Sequence, residues 1–187
     1  MDLETRLRRV QFIVCDVDGV LTDGLLFFDG EGRPFRAVHA RDAAAFTVWR
    51  ASGGKIALVT GMGSAAVEAV AKLWQCEDCV TWVKDKGRVC RELSEQHGVP
   101  LEEMAFLGDD LIDLTAMRIV GLAVAVADAA SEAKAEAHWV TTAPGGRGPL
   151  RELVYRILSV RGELESAVAQ YCNRKDGEPA AAGGETP

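Results

Sequence analysis

Two aspartates that directly follow an apolar segment are the residues of this chain best suited to chemistry. Asp16 and Asp18 come after the run Phe12-Ile13-Val14-Cys15 and before Gly19. Residues two apart on an extended strand share a face, so both carboxylates can address one point beyond the strand end. Two crowded carboxylates need a shared proton or a cation, and Mg²⁺ readily binds one or two carboxylates. An acidic turn without chemistry is the alternative interpretation of this pair alone.

Other polar residues occupy comparable positions further along the chain. Each follows an apolar segment or lies near the start of a predicted helix. They are Thr60, Gly61, Lys86, Asp109, Asp110 and Asp113. Taken singly, Thr60 is typical of a helix cap and Lys86 of a solvated surface lysine. Chance poorly explains why successive segments carry two acidic strand ends, a hydroxyl and a lysine. Together these residues predict one site.

The elements that carry these residues alternate between strand and helix patterns. Short apolar runs rich in β-branched residues predict buried strands at residues 12–14, 56–59, 80–83, 104–107, 122–126 and 138–141. Helices are predicted between them at residues 42–49, 64–74, 85–97, 111–118, 132–136 and 151–160. This alternation predicts an α/β fold, a Rossmann-like parallel sheet with helices on both faces. Ligands of such sheets bind beyond the carboxyl ends of the strands.

Turn and cap residues refine this prediction. A β-hairpin is predicted from Leu25–Phe28 and Pro34–His39, which flank Asp29-Gly30-Glu31-Gly32. Helix N-caps are predicted at Asp42, Ser64 and Asp85, and helix ends at Gly53 and Gly98.

Length and charge limit the possible functions. The 187 residues suffice for one domain, predicted at residues 1–165, and the remainder, residues 166–187, is predicted to be a disordered tail. With 21 Lys and Arg against 28 Asp and Glu, the net charge is −7. Neither nucleic acid nor an anionic membrane surface is therefore an expected partner. No apolar run of about 18 residues and no signal-peptide pattern occurs, so a cytoplasmic location is expected.

The five cysteines are scattered and odd in number, which indicates a reducing compartment. Cys76 and Cys79 form a C-x-x-C pair, but no second such pair and no histidine pair accompanies it. We interpret these thiols as small apolar side chains rather than as a zinc or redox site.

Four segments resemble the motifs of the haloacid dehalogenase superfamily of phosphotransferases, in the same order. They are Ile13-Val14-Cys15-Asp16-Val17-Asp18-Gly19-Val20-Leu21-Thr22, Ala57-Leu58-Val59-Thr60, Lys86 and Gly108-Asp109-Asp110-Leu111-Ile112-Asp113. The resemblance implies the fold of that superfamily and a phosphomonoesterase. Asp16 would attack phosphorus and form an aspartyl-phosphate. Asp18 would protonate the departing alkoxide and then deprotonate the attacking water.

The same resemblance implies a metal site and a phosphate site. Mg²⁺ would be bound by the Asp16 side chain, the Asp18 backbone carbonyl and Asp109. Asp110 and Asp113 would bind water on the metal or orient Asp109. The residues implied to bind the non-transferring phosphoryl oxygens are Thr60, Gly61 and Lys86.

The chain also resembles one branch of this superfamily, the 3-deoxy-manno-octulosonate 8-phosphate phosphatases. Domains rarely have fewer than about 50 residues, so no large cap domain fits between the motifs, and the β-hairpin stands in its place. Local features shared with the branch are Arg41-Asp42, Asp85-Lys86, Val126-Ala127-Asp128-Ala129 and Gly145-Gly146-Arg147-Gly148. The branch implies a small sugar-acid phosphate as substrate, a role in lipopolysaccharide biosynthesis, and a homotetramer in which a neighbouring subunit covers each site.

Two departures from that branch leave alternatives open. Met62 replaces a usual arginine and Ala43 a usual glycine. An arginine can bind a carboxylate through two parallel hydrogen bonds and methionine cannot, so Arg41 and Arg147 are the remaining candidates for the substrate carboxylate. A nonulosonate 9-phosphate is the alternative substrate. A catalytically inactive oligomerisation or interaction domain is the alternative function. Asp18 argues against a phospho-accepting signalling domain, which has no leaving alcohol to protonate.

Overall fold

The computed structural model describes residues 1–173, and its centre is a parallel β-sheet. The strands are β1 Phe12–Cys15, β2 Phe27–Phe28, β3 Pro34–Phe35, β4 Lys55–Val59, β5 Asp78–Val80, β6 Met104–Gly108, β7 Leu122–Ala125 and β8 Trp139–Val140. Within the described residues, six of them form one sheet in the order β5-β4-β1-β6-β7-β8. Each neighbouring pair is parallel. The predicted α/β fold is confirmed.

Helices cover both faces of this sheet and connect its strands. They are α1 Leu3–Arg9, α2 Ala40–Ala51, α3 Ala65–Trp74, α4 Lys86–His97, α5 Leu114–Met117, α6 Ser131–Glu136, α7 Pro149–Arg161 and α8 Leu164–Cys172. Short 3₁₀ helices at Leu101–Glu103 and Leu111–Asp113 precede β6 and α5. No helix among residues 1–173 is long and apolar enough to cross a membrane.

The central position of β1 explains its composition. All four residues of β1 are buried, because the strand has neighbours on both sides and helices on both faces. In the register of the sheet, Cys15 pairs with Leu58 of β4 and with Leu107 of β6. The carboxyl ends of these three strands are therefore level, and the residues that follow them lie side by side.

Several element boundaries differ from the sequence predictions. The N-cap of α2 is His39, and the prediction that Asp42 caps this helix was wrong. Asp42 lies in the first turn of α2, and its carboxylate instead accepts a hydrogen bond from the backbone N–H of Arg151 at 2.9 Å. The carboxylate thus stabilises the start of α7, far away in sequence, where free N–H groups need acceptors.

The ends of the chain also differ from the predictions. Helix α1 was not predicted. The predicted domain boundary at residue 165 falls inside α8, so residues 166–172 of the predicted tail are helical. The remaining residues of the predicted tail, 174–187, lie outside the described part of the chain.

The predicted β-hairpin is present but short. Strands β2 and β3 form an antiparallel pair in which Phe27 is opposite Phe35, and their rings stack 5.4 Å apart. Both rings are exposed, as are Leu25 and Phe28. The hairpin therefore presents apolar surface to solvent, next to the carboxyl ends of the strands.

Candidate active site

The loop after β1 brings Asp16 to the centre of the site. The backbone N–H of Asp16 still donates to Leu107 in the sheet, at 3.0 Å, so its carboxylate starts from a fixed position. The chain then turns back at Val17, whose carbonyl accepts from the N–H groups of Leu21 and Thr22. Gly19 has a φ of +89°, and a Cβ atom there would lie 2.0 Å from Oδ2 of Asp109. Only glycine allows this close approach.

Three carboxylates meet beyond the ends of β1 and β6. One oxygen each from Asp16, Asp109 and Asp113 lie within 4.8 Å of one another. Lys86, at the start of α4, is fully buried beside them. Its Nζ lies 2.7 Å from Oδ1 of Asp16 and 2.6 Å from Oδ1 of Asp113. A buried lysine is stable here because both neighbours carry the opposite charge.

The cluster has three carboxylates but only one lysine, so negative charge is in excess. Burial, and then the nearby Asp113, raise the pKa of Asp16 to about 7. Burial, and then Asp16, raise the pKa of Asp109 to about 8. Burial alone would lower the pKa of Lys86. The nearby carboxylates of Asp16 and Asp113 have the larger combined effect, and the pKa of Lys86 is raised. One ammonium group therefore does not neutralise three carboxylates.

The cluster fits a divalent cation such as Mg²⁺. Among the described residues, Oδ1 of Asp109 is a buried oxygen with no hydrogen-bond partner. Leaving a buried carboxylate oxygen unpaired is costly, and a cation would satisfy it. The donors in this cluster are all oxygens, which is the set that Mg²⁺ prefers.

Asp110 and Asp113 have distinct structural positions. The carboxylate of Asp113 is fully buried and accepts from the backbone N–H groups of Asp109 and Asp110, at 2.8 and 3.1 Å. It therefore fixes the loop that carries Asp109 and also pairs with Lys86. Asp110 caps the following 3₁₀ helix by accepting from the N–H of Leu111 at 2.7 Å.

Asp18 points to the other side of the site. Its carboxylate accepts from Nε and Nη2 of Arg36, at 2.5 and 3.0 Å, and lies 3.5 Å from Oγ1 of Thr60. Sequence reasoning missed Arg36. An available signal was alternation, because Pro34, Arg36 and Val38 are each less exposed than Phe35 and Ala37, in β3 and the segment that follows it.

A cavity of about 350 Å³ opens above these groups. Seven predicted site residues line it, namely Asp16, Asp18, Thr60, Gly61, Lys86, Asp109 and Asp110. Leu26 of the hairpin segment, Met62 and Ile112 complete the lining. Leu26 and Ile112 were not predicted, because their apolar side chains give no chemical signal.

Arg41 and Arg147 are not among the residues that line this cavity. Both are exposed. They belong to neighbouring segments, since a Cβ atom on Gly148 would lie 3.9 Å from Cβ of Arg41. The glycine-rich loop before α7 also contacts the β1 loop, where the N–H of Gly146 donates to Val20 at 2.8 Å. Arg41 thus lies next to the glycine-rich loop that carries Arg147, and neither arginine lines the cavity.

Comparisons with known proteins agree with this geometry. Residues 78–144 match the haloacid dehalogenase-like hydrolase family. The 3-deoxy-D-manno-octulosonate 8-phosphate phosphatase KdsC of Yersinia pestis is 35% identical over 166 residues, which are 89% of each protein.

Two solved structures of such phosphatases are also similar. The enzyme of Moraxella catarrhalis, in complex with a magnesium ion, a phosphate ion and a KDO molecule, is 28% identical with a TM-score of 0.87, and the match covers 90% of this chain and 97% of that one. The cobalt-bound enzyme of Haemophilus influenzae is 30% identical with a TM-score of 0.85, and the match covers 90% and 99%.

The conclusion rests on the fold, on the four ordered motifs and on a 35% sequence identity that extends over 89% of the chain. The chain belongs to the haloacid dehalogenase-like hydrolases, in the family of the 3-deoxy-D-manno-octulosonate 8-phosphate phosphatases, which are phosphoric monoester hydrolases.

Proposed function

We propose that the chain hydrolyses 3-deoxy-D-manno-octulosonate 8-phosphate in a Mg²⁺-dependent reaction through an aspartyl-phosphate on Asp16. The observation that carries this proposal is the buried cluster of Asp16, Asp109, Asp113 and Lys86 at the carboxyl ends of β1 and β6. The named activity of the relatives supports the choice of substrate.

In this reaction the carboxylate of Asp16 attacks phosphorus. The new bond joins a carboxylate oxygen to phosphorus, and the bond from phosphorus to the ester oxygen breaks. Lys86, 2.7 Å from Asp16, compensates part of the negative charge on the phosphoryl oxygens, and Thr60 and Gly61 bind those oxygens from the end of β4. Positioning and charge compensation are the main contributions a protein can make to phosphoryl transfer.

Asp18 transfers the protons. It donates one to the departing ester oxygen and later removes one from the water that attacks the aspartyl-phosphate. Free phosphate then leaves, and Asp16 is regenerated. A position two residues from Asp16 lets Asp18 reach these oxygens without attacking phosphorus itself.

Mg²⁺ would be held by the side chains of Asp16 and Asp109 and the backbone carbonyl of Asp18. When bound, it neutralises the carboxylates and the phosphoryl oxygens, so that an anionic nucleophile and an anionic substrate can approach each other. Asp113 keeps Asp109 in place, and Asp110 holds the loop end.

The carboxylate of the substrate needs a cation outside the phosphate site. Arg41 and Arg147 supply it in this proposal, because Arg41 lies next to the glycine-rich loop that carries Arg147, and this loop contacts the β1 loop. The substrate then extends from the cavity toward these side chains. Met62 lines the cavity and provides no charge.

A homotetramer completes the proposed assembly, with the hairpin of one subunit against its neighbour. The exposed aromatic residues of the hairpin support this, since an isolated two-stranded ribbon is marginally stable in water. The role in lipopolysaccharide biosynthesis remains a prediction from the resemblance, and the cytoplasmic location remains a prediction from the sequence pattern.

A substrate series tests the proposed function. We expect kcat/KM to be highest for 3-deoxy-manno-octulosonate 8-phosphate, lower for a nonulosonate 9-phosphate and lowest for glucose 6-phosphate, all with Mg²⁺ present and all abolished by a chelator. A series led by glucose 6-phosphate would contradict the sugar-acid assignment. Hydrolysis of none of these esters would instead favour an inactive interaction domain.

A further inference from the structure

Arg36, directly after β3 of the hairpin, has a buried side chain. Its side chain is 3% exposed, although it comes directly after the exposed residue Phe35. The guanidinium donates to both oxygens of Asp18, at 2.5 and 3.0 Å. It also donates to Oγ of Ser64 at 2.9 Å and to the carbonyl of Met62 at 3.2 Å.

These contacts use four donor directions of the guanidinium, which has five N–H groups. The side chain also lines a small apolar pocket with Val17, Leu21 and Val38. Burying an arginine is costly unless its charge is paired and its donors are bonded, and here Asp18 pairs the charge and four of the five donors are bonded. Arg33 on the same hairpin is the opposite case, because its side chain is 71% exposed and pairs with Asp29 at the surface. Arg36 is therefore built into the site rather than placed on the hairpin surface.

The consequence concerns the orientation of Asp18. Its side chain is 23% exposed at the edge of the cavity. Two parallel hydrogen bonds from one guanidinium fix both the position and the plane of a carboxylate. Each carboxylate oxygen has a further lone-pair direction, so the paired group can still face the cavity. The bonds to Ser64 and Met62 tie this arrangement to the loop after β4.

We infer that Arg36 is a positioning residue for Asp18, through which the hairpin controls proton transfer to the leaving group. The inference rests on the proposed function, since it assigns Asp18 the role of acid and base. The hairpin then does more than cover the site. Its register relative to the sheet determines where the carboxylate of Asp18 stands.

This role has a signature that a purely structural role lacks. An alkoxide leaving group, as in a sugar phosphate, needs a proton as it departs, whereas 4-nitrophenolate is stable without one. kcat/KM reports the steps up to departure of the leaving group. Misplacing Asp18 should therefore lower kcat/KM for the sugar-acid phosphate and leave kcat/KM for 4-nitrophenyl phosphate nearly unchanged.

The experiment compares wild type, Arg36→Gln, Arg36→Lys and the surface control Arg33→Gln on both esters, with Mg²⁺. We expect Arg36→Gln to lose about 100-fold on the sugar-acid phosphate and less than about threefold on the aryl phosphate. Arg36→Lys keeps the charge with fewer directed donors and should lose about tenfold on the sugar-acid phosphate alone. Arg33→Gln should match wild type on both.

Equal losses on the two esters, no loss, or a gain on the sugar-acid phosphate would each overturn the inference. If Arg36→Gln fails to fold, the ratio of the two rates for Arg36→Lys decides in the same way. A wild-type enzyme that hydrolyses neither ester would contradict the proposed function and this inference with it. The inference alone would be contradicted if the wild-type enzyme hydrolyses both esters and the Arg36 variants lose the same factor in kcat/KM on each ester.

Discussion

Lys86 is fully buried, and its environment favours the charged form of its side chain by raising its pKa. It lies between the carboxylates of Asp16 and Asp113, within 2.7 Å of each. Two opposite charges offset the cost of removing one ammonium group from water, and the lysine in turn offsets their mutual repulsion. The same side chain therefore pairs two buried carboxylates and, in the proposed reaction, supplies positive charge beside the phosphoryl group.

Replacing Lys86 with methionine should damage activity and stability together. Two buried carboxylates would lose their partner, at a cost of about 3–5 kcal/mol in the free energy of unfolding. The rate should fall by about 100-fold or more, because the proposed reaction needs the charge of Lys86 beside the phosphoryl oxygens. Denaturant unfolding and steady-state kinetics measure the two effects.

The matched control for this variant is Lys84→Met, at an exposed position two residues earlier. It should behave as wild type in both measurements. If Lys86→Met kept more than about a tenth of the wild-type rate, the assignment of Lys86 to the phosphate site would be wrong.

Single residues show what sequence reasoning could and could not find. Asp16, Thr60 and Asp109 were predictable as neighbours, because each directly follows a recognisable strand and parallel strands end at one edge of the sheet. Arg36 was not predictable as a partner of Asp18, since that contact depends on how the hairpin folds back over the sheet. The exposure of Arg41 and Arg147 could not be read from their residue types either.

At the scale of elements, the contact between α2 and α7 depends on a buried carboxylate. Asp42 of α2 is fully buried and accepts from the N–H of Arg151 at the start of α7. Among the described residues, its Oδ2 has no hydrogen-bond partner. Burial raises the pKa of Asp42 to about 6, and the amides at the start of α7 oppose this shift only in part.

This pKa has a defined consequence for stability. The pKa of Asp42 is higher in the folded protein than in the unfolded chain. Between about pH 4 and about pH 6 the folded protein therefore binds more protons than the unfolded chain. The contribution of Asp42 to the free energy of unfolding is therefore largest at low pH, and it decreases as the pH rises through this window. The decrease is on the order of 2 kcal/mol.

Asp42→Asn should remove this pH dependence while keeping an oxygen for the N–H of Arg151. Relative to wild type, we expect the stability of the variant to increase by on the order of 1 kcal/mol when the pH rises from about 5 to about 7.5. Urea unfolding of both proteins at the two pH values measures the difference. A stability difference that is the same at both values would show that Asp42 does not titrate in this window.

Elements with strong local signals were predicted well. Helix α4 begins after Asp85 and ends at Gly98, as the cap residues indicated, and α3 begins after Ser64. The segment at residues 111–118 is divided into a 3₁₀ helix and the short α5, because the carboxylate of Asp113 bonds back to the loop. Helices α1 and α8 were missed, although α1 carries a local signal in its N-cap Asp2, whose side chain accepts a hydrogen bond from the backbone N–H of Thr5.

At the scale of the whole molecule, the hairpin is the feature that a single chain does not explain. Phe27, Phe28, Phe35 and Leu25 are exposed on one short ribbon beside the cavity. Contiguous apolar surface of this kind marks an interaction site. Its location at the mouth of the site supports the proposal that a second copy of the chain covers it.

Phe28→Glu should break such an assembly. A charge introduced at this 58% exposed position would be desolvated on assembly, so we expect the variant to be smaller than wild type by light scattering at micromolar concentration. Activity should fall in parallel, because the cavity would lose its cover. Ala135→Glu, on the exposed face of α6, introduces the same charge and should leave the mass unchanged. A wild-type protein that is monomeric and fully active would refute the assembly.

The central claim is that Asp16 carries the phosphoryl group. Its most direct test is a rapid acid quench during the first turnover of the sugar-acid phosphate with Mg²⁺, followed by mapping of the phosphorylated peptide. We expect phosphate on Asp16 in the wild type. Asp16→Asn should show none and should be slower by more than about 100-fold. Asp23→Asn, an exposed site nearby, should behave as wild type. Turnover without phosphate on Asp16, in an enzyme whose Asp16→Asn variant keeps more than about a hundredth of the rate, would contradict the account.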